Sequence, residues 1–194
     1  MTEVCGKQAI KLIDENMPRE LPFYIWPADN RLLAKGLSGI LASLRPWSKV
    51  GDRDIIFVDI SVQTFHAIII EEWFMSFRNC RLILVCDKKM TPFAHYWYLK
   101  MLTLGISGTI IYPMDTMDEI VKKISSVING FPIITNAKIP FVSLREFNIM
   151  KLIFSGADIE KIASFCNVTV KTVYAYKSKI ERKIMIPINR IPRM

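Results

Sequence analysis

The sequence contains little of the chemistry from which metal sites and catalytic dyads are built. Its 194 residues include only two histidines, His66 and His95, and its four cysteines show no metal-type spacing. We interpret the cysteines as small buried thiols of a reducing compartment, because free cysteine packs like a small apolar side chain. We therefore expect no metal, no cofactor and no enzymatic activity.

Long apolar runs are also missing. No stretch approaches the roughly 20 residues that an apolar helix needs to span a bilayer. Residues 1–16 lack the basic-then-apolar order of a signal peptide, so we expect a cytoplasmic protein without a membrane partner. Since 51% of the residues are hydrophobic, we expect a packed core and not wholesale disorder.

Acidic residues are scarce toward the end of the chain. Residues 145–194 hold ten Lys and Arg against four Asp and Glu, a balance of +6 within a net charge of +8 for the whole sequence. Positive charge concentrated in a small terminal unit favours a polyanionic partner, usually nucleic acid and sometimes a membrane surface.

The first two thirds of the sequence alternate short apolar runs with helical periodicity. Strands are predicted at 22–26, 54–60, 81–86 and 108–112, and helices at 31–44, 64–77, 92–105 and 116–130. Continuous apolar strands between helices indicate an α/β fold with a parallel sheet covered by helices. We divide the chain into an N-terminal extension (1–21, expected as a helix or arm), an α/β domain (22–130), a linker (131–141) and an all-helical domain (142–194).

The final domain carries the signals of three short helices. Ser143 and Glu146 form a capping box, and Gly156 ends the first helix. Asp158 and Thr169 are placed to cap the second and third helices. Short helices joined by a tight turn, the last one exposed and basic, form a helix-turn-helix.

The third of these helices has two chemically different faces. At 100° per residue, Val173, Tyr176, Ile180 and Ile184 form one packing stripe. The opposite side mixes cations with small and hydrogen-bonding side chains, and Glu181 is the only acid in the helix. Cations suit phosphates, and the other side chains could reach base edges. On charge alone, an ordinary solvated helix is the alternative.

Residues 142–184 resemble the LuxR/NarL-type DNA-binding domain. The matching positions are Arg145-Glu146, Gly156, Ile162-Ala163, Thr169, Lys171-Thr172-Val173 and Lys183. The resemblance implies base-edge contacts from Tyr174, Ala175 and Ser178. It implies phosphate contacts from Lys171, Thr172, Lys177, Lys179 and Arg182. Pro187 and Pro192 stand where the family has a fourth helix, so dimerisation through this domain is left open.

Such domains commonly follow a response-regulator receiver domain, and residues 22–130 resemble one with a flavodoxin-like parallel sheet. The resemblance puts Asp59 at the phospho-acceptor position, whereas the usual acidic pair reads Ala28-Asp29 and Tyr112 replaces the lysine. An acyl phosphate needs Mg²⁺ and that cation for stabilisation. We interpret the domain as a pseudo-receiver with a degenerate pocket of Asp29, Asp59 and Tyr112, which could at most hold a divalent ion weakly. A phosphorylation-dependent response regulator that uses Asp59 is the alternative.

Aromatic residues gather on the helix before the last predicted strand. Tyr96, Trp97 and Tyr98 lie in a region through which receivers often dimerise, and aromatic side chains are favoured interface anchors. We therefore mark them as a candidate dimer interface. The alternative is that the rings simply pack on the sheet.

The first domain also resembles enterobacterial fimbrial-operon regulators of the LuxR type, in residues 24–37 and 95–130. The wider group includes auxiliary regulators of the Rcs system, which can pair with its main response regulator. The resemblance implies a regulator of fimbrial or surface-structure promoters. It would bind double-stranded DNA as a homodimer or as a heterodimer with a related Rcs-type response regulator. A protein that titrates a partner and hardly touches DNA is a further alternative.

Overall fold

The computed structural model describes residues 10–11, 23–28, 30–44, 53–131 and 139–192. Asp29 and most of the predicted linker lie outside these residues. Five strands are present in the described part: β1 (Ile10–Lys11), β2 (Phe23–Trp26), β3 (Ile55–Ile60), β4 (Arg81–Cys86) and β5 (Gly108–Ile111). The helices are α1 (Arg31–Ser43), α2 (Phe65–Ile68), α3 (Glu72–Ser76), α4 (Thr91–Thr103), α5 (Met117–Ile128), α6 (Leu144–Phe154), α7 (Ile159–Phe165), α8 (Val170–Ile184) and a 3₁₀ turn, Ile188–Arg190.

The four predicted strands form a parallel sheet in the order β2-β3-β4-β5. The prediction of an α/β fold with a helix-covered parallel sheet is confirmed. The extension was expected as a helix or arm, but its described residues form β1, which pairs antiparallel with β2 at the sheet edge. Two residues are too few to show an alternating pattern, so this strand had no sequence signal.

Both faces of the sheet are buried, which explains why its strands are apolar throughout. Ile55 and Phe57 point toward the layer that contains α1 and α5. Ile56 and Val58, the alternate residues of the same strand, point to the other layer, which contains α2, α3 and α4. Alternation with two buried faces is the pattern of a parallel sheet between two helical layers.

The three C-terminal helices form where the sequence predicts them. Ser143 Oγ accepts from the Glu146 N–H at 3.3 Å, and Glu146 Oε2 accepts from the Ser143 N–H at 2.7 Å. Gly156 follows α6 with φ +82°, a left-handed conformation that glycine adopts without strain. Asp158 occupies the cap position of α7 without a capping hydrogen bond from its side chain, which instead pairs with Lys161 at 3.5 Å.

The helical domain packs directly against α4 through aromatic rings. The Phe147 ring stacks on Tyr96 with centroids 4.3 Å apart and meets the edge of Trp97 at 5.3 Å. Nearby, Phe154 contacts Phe65 at 5.2 Å. These residues belong to one continuous apolar core, so in this structure the two domains are docked on each other.

This docking contradicts the interpretation of Tyr96, Trp97 and Tyr98 as a dimer surface. Their exposed fractions are 8%, 0% and 2%, so a second molecule could not reach them in this arrangement. The alternative, internal packing of the rings, is what the structure shows. Of these three rings, Tyr96 and Trp97 pack against Phe147 of the chain's own helical domain.

The chain after α8 forms no fourth helix within the described residues. Met185 turns the chain with φ +54°, and a 3₁₀ turn follows. Ile186, Ile188 and Ile191 are buried, so this tail packs its apolar side chains under the helix-turn-helix. In the part of the chain that the structure describes, no helix combines the length and apolarity needed to cross a membrane.

Candidate nucleic-acid interface and receiver pocket

The third helix of the C-terminal domain, α8, begins at a capping threonine. The Thr169 hydroxyl accepts from the Thr172 N–H at 3.2 Å, which satisfies one of the free N–H groups at the helix start. Val173, Ile180 and Ile184 are fully buried against α6 and α7. The packing stripe of the helical wheel is therefore confirmed, with Tyr176 half-buried at its edge.

The predicted DNA-contacting side chains lie on the outward side of α8. Six of the eight are exposed: Lys171, Tyr174, Ala175, Ser178, Lys179 and Arg182. Thr172 and Lys177 are half-buried. The structure thus brings six of the eight side chains to the exposed side of one helix, which we call the reading face, with Thr172 and Lys177 at its edge.

Three cations of this helix have no internal partner. Among the described residues, Lys171, Lys177 and Arg182 make no ion pair or hydrogen bond. The only acid of α8, Glu181, is turned away, since its Oε1 accepts from the Ile188 N–H at 2.9 Å in the tail. The reading face therefore carries one sign of charge, which suits a polyanion.

A buried carboxylate holds α8 from below. Glu146 Oε2 lies 2.7 Å from Lys183 Nζ, and Glu146 Oε1 lies 3.2 Å from Lys179 Nζ. Lys183 Nζ also donates to the Phe141 carbonyl at 2.7 Å. Burial acts to raise the pKa of Glu146, but hydrogen bonds from Lys183, Ser143 and Lys179 outweigh it and lower the pKa to about 2.

This arrangement qualifies the role predicted for Lys179. Its ammonium is half-exposed but already paired with Glu146, so it is less available to phosphate than Lys171 or Arg182. Sequence reasoning predicted Glu146 as a capping residue and missed its second role as a charge anchor for α8. The 33- and 37-residue separations between Glu146 and the two lysines give no local pattern from which that role could be read.

In the receiver-like domain, Asp59 lies near the carboxyl end of β3 in a buried, hydrogen-bonded position. Its side chain accepts from the Asn30 amide at 2.9 Å, and its backbone carbonyl accepts from the Thr64 hydroxyl at 2.7 Å. Asn30 also caps α1 by accepting from the Leu33 N–H at 3.0 Å. The structure therefore uses Asp59 to hold the start of α1 against the sheet.

Tyr112 directly follows β5. By the resemblance, it stands at the position where a receiver domain carries a lysine. Its phenol oxygen lies 3.5 Å from Nδ1 of His95. Burial lowers the pKa of the His95 ring. The Lys123 ammonium sits 4.8 Å from the Tyr112 ring centre, but it is paired with Asp115 at 2.5 Å. Asp115 also accepts from the Tyr112 N–H at 2.7 Å.

A further carboxylate, Asp87 after β4, is also engaged by the protein itself. Asp87 accepts from the Val62 and Met90 N–H groups, both at 2.8 Å. Of the described residues, no three His, Cys, Asp or Glu side chains are grouped so that they could hold a metal ion. The third predicted member of the pocket, Asp29, lies outside the described residues. Asp59 bonds to Asn30 at the start of α1, whereas Tyr112 packs beside His95 in the layer that contains α4, with β4 between their two strands.

The described cysteines are thiols of low reactivity. Burial raises the pKa of Cys86 to about 12 and that of Cys80 to about 11, so both stay protonated at neutral pH. Cys86 is buried, whereas Cys80 and Cys166 are half-buried. Their packing agrees with the interpretation of these residues as structural.

A receiver-like sheet followed by a helix-turn-helix with a cationic reading face defines a LuxR-type DNA-binding transcription regulator. Comparison with known families agrees with this class. The family described as "EcpR N-terminal domain" matches residues 3–128, and the chain belongs to that family. The family described as "Bacterial regulatory proteins, luxR family" matches residues 141–187.

One curated relative is "Uncharacterized protein YqeH" of Escherichia coli (strain K12), 28% identical over 90% of this chain and 86% of the relative. Solved structures with a similar fold include the RcsB response regulator of Salmonella typhimurium. It is 14% identical, and the match covers 81% of this chain and 90% of that one with a TM-score of 0.37. Another is full-length FixJ of B. japonicum (11% identity, 84% of this chain, 91% of that one, TM-score 0.33). Superpositions this loose do not establish a shared arrangement of domains.

Proposed function

We propose that this protein binds promoter DNA sequence-specifically through α8 and regulates transcription without being phosphorylated. The observation that carries the proposal is the reading face: exposed cations without internal partners, surrounding small and hydrogen-bonding side chains, on a well-anchored helix. That combination suits a helix lying in a major groove, with cations on the phosphates.

Individual side chains take different parts in this proposal. Lys171, Lys177 and Arg182 contact phosphates, because they are charged and unpaired. Thr172 and Lys179 complete the backbone contacts, the latter more weakly because of Glu146. Tyr174, Ala175 and Ser178 read base edges, since they lie between the cations and combine hydrogen-bonding groups with a small apolar one.

Independence from phosphorylation is supported by the pocket around Asp59. An acyl phosphate there would need Mg²⁺ and a nearby cation to offset its charge. Tyr112 stands in the place of that cation, and Lys123 is paired with Asp115. Asp59 is only 3% exposed and bonds to the Asn30 amide. The reading face is exposed while the domains are docked, so DNA binding does not need a phosphorylation-driven release.

Assembly as a dimer is also part of the proposal. One recognition helix reads too few bases for a specific promoter, so two helix-turn-helix units must act together. The partner is a second copy or a related Rcs-type response regulator. By the resemblance to fimbrial-operon regulators, the targets are fimbrial or surface-structure promoters.

The decisive experiment combines selection of bound genomic fragments with salt titrations of the selected duplex. We expect the slope of log Kobs against log salt to fall by about two when Lys171→Ala and Arg182→Ala are combined. The matched control is Lys161→Ala with Arg190→Ala, which removes the same charge from the same domain away from the reading face. An unchanged slope in the first variant, or equal losses in both, contradicts the proposal.

The second arm tests the alternative that the protein acts only by titrating a partner. In that case the variant with Lys179→Ala and Arg182→Ala keeps its regulatory effect in cells, whereas a DNA-binding regulator loses it. Proteins that co-purify with the selected DNA distinguish a homodimer from a heterodimer.

A further inference from the structure

A cavity of about 650 Å³ lies at the junction of the two domains. Its walls come from the start of α4, from residues 139–140 before the helical domain and from the last turn of α8. Most of the lining is apolar, with side chains from Pro92, Ile139, Pro140 and Met185. A volume of this order and mostly apolar walls are typical of small-molecule sites, which often form at domain interfaces.

The described residues that edge the cavity include four cations and no acidic side chain. Lys88, Lys179, Arg182 and Lys183 contribute to its lining. Lys183 is bound to Glu146 and the Phe141 carbonyl, whereas Arg182 has no partner among the residues that the structure describes. Lys88 is likewise exposed and makes no ion pair or hydrogen bond within the described parts of the chain.

We propose that this cavity binds a small organic anion with an apolar body, for example an aromatic or medium-chain carboxylate or sulfonate. The apolar body covers Pro92, Ile139 and Pro140, and the anionic group lies between Lys88 and Arg182. An inorganic anion would leave the apolar walls exposed to water, and a neutral ligand would leave two unpaired cations at the rim. Charge and apolarity together therefore select one class of ligand.

The position of the cavity also links the ligand to DNA. Arg182 belongs to both the cavity lining and the reading face, and one guanidinium cannot serve an organic anion and a phosphate fully at once. A bound anion therefore weakens DNA binding, and by reciprocity DNA weakens binding of the anion. This second step rests on the proposed function, whereas binding of the anion itself does not.

The test uses the full chain and 8-anilinonaphthalene-1-sulfonate, an aromatic sulfonate whose fluorescence rises in apolar surroundings. We expect Lys88→Glu to weaken binding of this probe by at least about tenfold, the loss of one charge-assisted contact. Lys89→Glu makes the same charge change at the next exposed residue, which does not line the cavity, and should leave affinity within about twofold. N-phenyl-1-naphthylamine, which lacks the sulfonate, should bind weakly and equally to both variants.

A second pair of variants tests the apolar side. Met114 lines the cavity and Met117 does not, and both are exposed, so glutamate is tolerated at either position. Met114→Glu should weaken probe binding and Met117→Glu should not. Equal effects within either pair, or equal affinity for the sulfonate and its neutral analogue, overturn the proposal.

Addition of duplex DNA separates the two steps. Displacement of the probe by DNA supports the shared use of Arg182. Binding that depends on Lys88 but is unaffected by DNA supports the anion site and overturns the coupling. If the chain binds no DNA in a direct assay, the proposed function fails while the results with the Lys88 and Lys89 variants still decide the cavity.

Discussion

Three carboxylates of the receiver-like domain and two cations of α8 differ in whether the protein itself satisfies their charge. In the receiver-like domain, the described carboxylates Asp59, Asp87 and Asp115 all bond to groups of the protein itself: an amide, backbone N–H groups and a lysine. On α8, Lys171 and Arg182 bond to no described group. A carboxylate already satisfied is poorly placed to coordinate Mg²⁺ or attack a phosphoryl donor, whereas an unpaired surface cation is available to an external anion.

The difference supports the proposal that the receiver-like domain acts without phosphorylation and that DNA binding depends on α8. Asp59 and Tyr112 stand where a receiver would carry its chemistry, but their contacts hold the carboxyl end of the sheet together. Among the described residues, Lys171, Lys177 and Arg182 of α8 make no ion pair or hydrogen bond that would explain their presence. Charged side chains without an internal partner indicate the function here, whereas resemblance of the fold alone does not.

The largest effect is expected at Glu146, a buried carboxylate that pairs with two cations. Glu146→Gln leaves Lys183 without a charge partner, so we expect the free energy of unfolding to fall by about 3 kcal/mol. Denaturant titration at pH 7 measures it. Glu160→Gln, an exposed acid of α7, is the control and should change stability by less than about 0.5 kcal/mol.

The effect of Glu146 should also depend on pH. Its pKa falls from an ordinary value of 4.5 to about 2 in the folded chain, so the folded state favours the charged form. Its contribution to stability is therefore present above about pH 5 and is lost as pH falls toward 2. The stability gap between wild type and Glu146→Gln should narrow between pH 5 and about pH 3. A gap that is constant over this range would contradict the ion-pair account.

A smaller effect is expected from single substitutions on the reading face, which distinguish base contacts from phosphate contacts. Tyr174→Ala should weaken binding to the selected promoter site by roughly fivefold to tenfold, the value of one base contact, and leave binding to random duplex unchanged. Lys171→Ala should weaken both by the same factor, because phosphate contacts carry no sequence information. Anisotropy titrations with both duplexes measure these ratios. Equal ratios for the two variants would remove Tyr174 from the set of base-reading residues.

The smallest effect is expected at Asp59. Asp59→Asn keeps a hydrogen-bonding side chain at the end of β3, so promoter affinity should stay within about twofold of wild type. Wild-type protein incubated with Mg²⁺ and acetyl phosphate should show no phosphoryl mass increase. A mass increase that is absent from Asp59→Asn would restore the alternative of a phosphorylation-dependent regulator and remove the contrast between the domains.

Local patterns predicted much of the reading face. Capping by Thr169 and the spacing of Val173, Ile180 and Ile184 determine which side of α8 is buried, and hence that Ser178 faces out. These relations span a few residues within one helix, so periodicity is enough to find them. The four strands of the parallel sheet were predictable for the same reason.

The environment of the aromatic residues was not predictable in this way. Tyr96 and Trp97 have the composition of an interface, but the sequence cannot show that Phe147 and Phe154 come from the same chain to cover that layer. The contacts join residues about 50 or more positions apart, and such pairings leave no local periodicity. The cavity beside Arg182 arises from the same docking, whereas the double use of Glu146 arises from the packing of α6 against α8 within the helical domain.

By itself, then, the sequence determined the strand and helix order, the packing stripe of α8 and the sign of charge on its outer side. These properties follow from alternation, capping and composition within single elements. Only the tertiary structure decided which charges are satisfied and which are free. Partners such as Lys183 and Glu146, or Asn30 and Asp59, meet only when distant elements pack, and the free energy of a charged group depends on the partners that packing provides.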